Sequence, residues 1–125
     1  MILLTPSQRA RLLANGRMPD ADHIPVVKFF NPFGQGTWLA TELDEDGDIL
    51  FGLADLGYPE LGSWSLSEMA AIRLPFGLGI ERDLHFEGRF PISVWAEAAR
   101  AEGSISAAEQ VLYGRAHGKG GACSD

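Results

Sequence analysis

From Phe29 to Ile72 the chain contains no lysine, arginine or histidine. A stretch without cations cannot follow a phosphate backbone or an anionic lipid surface, so its aromatic residues do not form a nucleic-acid stacking platform. Long apolar runs are missing too: none approaches the roughly 20 residues that span a bilayer as a helix. Cysteine is almost absent, with Cys123 the sole example. No internal disulfide or multi-cysteine zinc site is therefore available to the chain.

What fills the cation-free stretch is acid. Its 44 residues hold eight carboxylates, Glu42, Asp44, Glu45, Asp46, Asp48, Asp55, Glu60 and Glu68, while the rest of the chain sets ten basic residues against nine acidic ones. The net charge of −7 is thus a property of one segment. Such a segment repels phosphates and attracts metal cations or a basic protein. With 125 residues, 46% hydrophobic and 22% charged, the chain has the makeup of one folded domain. The opening residues read as a helix rather than as a basic export signal, and a cytoplasmic location is expected.

Local chemistry places the elements. Thr5 and Gln8 have capping-box spacing and Pro6 suits a first helical position, predicting a helix over 6–15 that Gly16 stops, with Ala10, Leu13 and Ala14 on its packing face. Val26 to Phe30 is β-branched and aromatic, and reads as a strand. Trp38 to Leu43 and Asp48 to Leu53 flank the polar break at Asp44 to Gly47, so 37–54 reads as a hairpin. Gly57, Pro59 and Gly62 mark 57–62 as a loop. Ser65 and Glu68 again have capping-box spacing before a short helix, and Ile80 to Phe86 alternates like a strand. Pro91 opens a helix through Ala101 with Gly103 as its stop, and residues 107–113 could add a helical turn. The expected fold is α+β: a small antiparallel sheet of about four strands with short helices on one face. Its domain spans 1–106, and 107–125 is an extension with a mobile, Gly-rich end.

Two constellations could carry chemistry. Asp44, Asp46, Asp48 and Asp55 resemble part of a calcium loop, but the sixth position is Ile49 rather than glycine, and the twelfth is Asp55 rather than glutamate. An acidic hairpin turn is the better reading. In an extended strand Glu81, Asp83, His85 and Glu87 share one face, and Glu81, Asp83 and His85 could then hold a divalent metal for hydrolysis, with Glu42 or Asp55 from a neighbouring strand. The opposing view is a solvated strand face, and no lysine stands near to steady a reacting phosphate. No Ser-His-Asp grouping is evident, and His23 and His117 fall in loop-like sequence. Gly77 and Gly79 lack the third glycine of a dinucleotide fingerprint. Tyr58 and Trp64 are candidate anchors for a protein interface.

A set of residues spread along the chain resembles a bacterial family known only as a domain of unknown function and carried largely on plasmids and integrative elements. The matching segments include Leu3 to Thr5, Leu12 to Gly16, Pro25 to Phe29, Thr37 to Asp44, Phe51 to Gly57, Pro59 to Gly62, Ser65 to Glu68 and Leu78 to Phe86. They cover about residues 2–106. The resemblance implies a mobile-element setting and transfers no activity. Taken with the charge, it leads to the expectation of a non-catalytic accessory protein, with neither cofactor nor membrane. Such a protein would bind a basic protein partner through Glu42, Asp44, Glu45, Asp46, Asp48, Tyr58, Glu60 and Trp64, as an anti-restriction or anti-CRISPR inhibitor does. The alternative is a small metal-dependent hydrolase. Direct DNA binding would require Arg9, Arg11, Arg17, Arg82 and Arg89 to converge.

Overall fold

The computed structural model describes residues 2–116. His117, Cys123 and the Gly-rich end lie outside the described residues. Helix α1, Pro6–Gly16, starts on the reciprocal Thr5–Gln8 capping box. Gly16 is its last residue rather than its stop: a Cβ there would lie 2.4 Å from the carbonyl oxygen of Leu43, so glycine lets the helix touch the sheet. The packing face also differs from expectation. Leu12 is fully buried, whereas Ala10 and Ala14 are exposed.

Strands β1 (Val27–Phe30), β2 (Thr37–Leu43), β3 (Ile49–Asp55), β4 (Pro59–Ser65) and β5 (Glu81–Arg82) form one antiparallel sheet in the order β4-β3-β2-β1-β5. The α+β class stands, with a fifth strand. That strand is β4, which occupies most of the segment expected to be a loop. Its seven residues pair without interruption with β3, from Pro59 opposite Asp55 to Ser65 opposite Ile49. Pro59 and Gly62 are tolerated because β4 is an edge strand and its proline is the first residue. In the other direction, the strand expected over 80–86 shrinks to β5. Asp83 ends it by accepting a hydrogen bond from the His85 N–H at 2.9 Å, an Asx turn.

Helices α2 (Leu66–Ala71), α3 (Ile92–Glu102) and α4 (Ile105–Ala116) complete the domain. They do not share one face of the sheet with α1, as the sequence suggested. Leu12 of α1 and Leu66 and Met69 of α2 pack with Phe29, Trp38, Ala40 and Leu50. Trp95, Ala99, Ile105 and Ala108 of α3 and α4 pack with Leu39 and Leu53. Leu39 lies between Trp38 and Ala40, so the period-two alternation of β2 feeds both cores, and the sheet is a middle layer. Residues 107–116, read as an extension, form most of α4: Ala108 is fully buried, and Glu109 pairs with Lys28 of β1 at 2.6 Å.

A β-bulge interrupts β2 between Ala40 and Glu42. The extra residue, Thr41, is fully buried. Its hydroxyl donates to Phe51 O at 3.2 Å, and its carbonyl accepts from the Asn15 side chain of α1 at 2.9 Å. The bulge is thereby held from two sides.

Candidate functional site

The β2–β3 turn projects Asp44, Glu45 and Asp46 into solvent, with Gly47 in the left-handed region (φ 76°). Asp46 Oδ1 accepts from the N–H groups of Asp48 and Ile49 at 2.8 and 3.1 Å, which fixes the loop's shape. The turn is not purely negative. Arg9 reaches across from α1 to the carbonyl of Gly47 at 3.3 Å, supplying a cation that the local sequence lacks.

Other acids in the segment are occupied internally. Asp48 accepts from the Ser67 N–H and the Ser65 hydroxyl, both at 2.8 Å, tying the turn to the N-terminus of α2. The hydrogen bond from the Ser67 backbone, then those from the Ser65 and Ser67 side chains, hold its carboxyl below the ordinary 3.8. Asp55 is 7% exposed and accepts from Gly57 N–H and from Ile105 N–H at the start of α4, each at 3.0 Å. Asp22, outside the acidic segment, does the same for α3 through Ser93. Three helices of this protein thus begin on a carboxylate sent from a distant part of the chain, where the N-terminal dipole favours negative charge.

Glu42 occupies a different environment. With Asp44, Leu43, Ile49, Phe51 and Pro19 it lines a cleft of about 420 Å³ on the α3–α4 side of the sheet. Partial burial raises its carboxyl above 4.5, and the charge of His23 pulls it part of the way back. A raised value means that the folded protein holds this proton more tightly than the unfolded chain does. The gain from protonation is full below 4.5 and disappears as pH rises through the folded value, so at neutral pH the ionised Glu42 opposes folding. Glu42→Gln is therefore expected to raise the urea midpoint at pH 7 relative to wild type, with the difference closing when the titration is repeated below pH 4.5.

Tyr58, Glu60 and Trp64 stand elsewhere. Glu60 and Trp64 lie on the face of β4 shared with Trp38, opposite the Glu42 cleft, where two adjoining clefts of about 230 and 290 Å³ both have Trp38 and Trp64 in their walls. Tyr58 is 65% exposed at the mouth of the first. The eight candidate residues therefore do not form one patch: the exposed turn and the Glu42 cleft adjoin through Asp44, while the tryptophan clefts stand on the other face of the sheet. Trp38 and Gly62 belong to this last surface and were missed. Trp38 reads as an ordinary strand residue, and Gly62 reads as a loop breaker until β4 pairs.

Glu81, Asp83 and His85 lose the shared strand face on which a metal site depended, because β5 ends at Arg82. Asp83 lies 3.6 Å from Lys28 Nζ and His85 is exposed. Among the described residues no three His, Cys, Asp or Glu side chains come together to hold a metal. The arginines also serve separate ends. Arg9 holds the acidic turn, Arg82 bonds the Ile2 carbonyl, and Arg89 pairs with Glu87 and lies over the Tyr113 ring.

Residues 3–106 match the model of a protein family described as a protein of unknown function (DUF2958). The chain belongs to that family. The matched span takes in all five strands and α1 to α3, and ends just inside α4. No curated protein matches this member of the family, and no solved structure does. Among the described residues no helix is long and apolar enough to cross a membrane.

Proposed function

We propose that this family member is a non-catalytic accessory protein of a mobile element that binds a basic protein partner through the acidic β2–β3 turn. The observation that carries the reading is the turn itself. Asp44, Glu45 and Asp46 are exposed, and their loop is pre-shaped by two hydrogen bonds to Asp46. A rigid one-sided display of this kind loses little entropy on binding and steers a cationic partner. The Glu42 cleft beside it offers an apolar floor and a carboxylate, the pairing that suits the stem and head of a lysine or arginine. An inhibitor of a nucleic-acid-cutting defence enzyme, presenting carboxylates where phosphates would sit, is the role this arrangement fits.

Asp48 has to be left intact in any test because it anchors α2. The informative variant is Asp44→Asn, Glu45→Gln, Asp46→Asn, which keeps the Asp46 acceptor. Exposed ion pairs contribute about 0.5 kcal/mol each, so the triple change should weaken the complex by roughly tenfold at low salt. Pulldown from the host at low and high salt, followed by titration of the recovered partner, measures this. Binding that ignores both salt and the triple variant defeats the proposal.

A further inference from the structure

The long edge of the sheet is open. The Asp44 N–H donates to Ile49 O and the Leu66 N–H to Asp48 O, each at 2.8 Å. Antiparallel bonding alternates along a strand, so odd-numbered residues of β3 bond to β2 and even-numbered ones to β4. The β3–β4 register then turns the backbone groups of Glu60, Gly62 and Trp64 inward, and those of Leu61 and Ser63 outward. Leu61 and Ser63 are both exposed, and among the described residues their backbones bond to no other segment. The opposite edge, β5, is only two residues long.

Beside this edge lies a notch. A Cβ at Gly62 would meet no atom within 4 Å, although Trp38 and Trp64 wall the cleft around it. Most edge strands are blunted by lysine, an inward charge or a covering element. Here the outer edge carries Pro59 at its start and the single charge of Glu60. Glu60 lines one of the two clefts and Glu68 the other, while no lysine, arginine or histidine lines either. The nearest cation along the chain, Arg73, is turned back onto the carbonyls of Ala70 and Ile72.

We infer that the edge of β4 binds an extended segment of the partner by strand addition. On the face of the segment that meets Glu60 and Gly62, cationic and apolar side chains take turns at every second residue, and one apolar side chain sits in the Gly62 notch between Trp38 and Trp64. Backbone pairing through Leu61 and Ser63 supplies affinity, and the side chains on alternate positions supply selectivity. Glu60 and Glu68 favour a cationic segment over a second copy of this acidic chain. The inference rests on the proposed basic partner and adds where and how it docks.

The test uses the full-length protein with a short, end-blocked peptide in which lysine and valine take turns at every second position with threonine between them, followed by tryptophan fluorescence and amide exchange. Expected is saturable binding below about 1 mM, with exchange at Leu61 and Ser63 slowed about tenfold or more. A peptide N-methylated at alternate positions should lose binding. So should Leu61→Pro, which removes an outward N–H and no bond to β3, and Gly62→Val, which fills the notch. No saturable binding, undiminished binding of the N-methylated peptide, or β4 amides already protected by self-association each overturns strand addition. Peptide binding that survives these changes but vanishes with the acidic-turn triple variant overturns strand addition while leaving the acidic-turn reading standing. Peptide pairing on β4 with no partner recovered in the pulldown does the reverse.

Discussion

Gly52→Ala is expected to lower stability by about 3 kcal/mol or more, whereas the same change at Gly62, its direct partner across β3 and β4, is expected to be harmless. The two glycines sit opposite each other, yet meet different surroundings. A Cβ on Gly52 would lie 1.8 Å from Leu39 O and 3.0 Å from Ala40 Cα, which are backbone atoms of the central strand pair. They cannot swing aside as a side-chain tip could. The bulge in β2 begins directly after Ala40, and Asn15 and Thr41 hold that bulge in place. Relief would require re-registering β2 on β3, and so disturbing Trp38 and Ala40 in one core and Leu39 in the other. Against a typical total of about 5–15 kcal/mol for a domain, this is a large fraction. At Gly62 the added methyl enters open space, and alanine in place of glycine gains a few tenths of a kcal/mol or more from reduced chain entropy. Urea titrations of the two variants beside wild type decide the matter. Equal midpoints would mean that the backbone of Leu39 and Ala40 yields to the added methyl and that glycine is not required at position 52.

Asp55→Ala is expected to be the most damaging change among the acidic residues, at about 3 kcal/mol. Its two oxygens accept from two backbone N–H groups, one in the loop after β3 and one at the first residue of α4. Hydrogen bonds to an ionised acceptor contribute about 1.5–3 kcal/mol each, and truncation leaves the Ile105 N–H, in a fully buried residue, without a partner. Local damage should exceed global damage. Amide exchange should quicken first along Ile105 to Leu112, where α4 would lose its cap. Asp55→Asn retains one carbonyl acceptor and should fall between alanine and wild type. A protein in which Asp55→Ala leaves the exchange of α4 unchanged would show that Ser104, whose hydroxyl accepts from the Ala107 N–H at 3.0 Å, caps the helix without help.

The contrast between these two residues and the acidic turn shows where a sequence reading succeeds. Thr5 with Gln8, Ser65 with Glu68, and Gly103 announce helix ends because capping is chemistry between residues a few positions apart. Gly47 between Asp46 and Asp48 announces a hairpin turn for the same reason. Asp48 and Asp55 look like further members of an acidic run. Their partners, Ser67 and Ile105, lie 19 and 50 residues away along the chain, so composition alone cannot tell a helix cap from a solvent-exposed charge. The proposed metal ligands failed for a related reason. Alternation from Ile80 to Phe86 satisfies the strand pattern, but a strand also needs a partner, and pairing with β1 takes in Glu81 and Arg82 and ends at the hydrogen bond from the Asp83 N–H to Lys28 O.

By itself the sequence determined the α+β class, the helix caps at Thr5 and Ser65, the β2–β3 hairpin with its exposed acids, and the family to which the chain belongs. Each depends on spacing of a few residues or on the identity of many residues taken together. Tertiary structure alone decided that Pro59 to Gly62 belongs to an edge strand, that the sheet is covered on both faces, that Arg9 enters the acidic turn, and that Asp48 and Asp55 cap helices. All of these are long-range pairings, in which a residue's role is set by what the fold brings to within hydrogen-bonding or van der Waals distance, and the order of residues along the chain does not encode that distance.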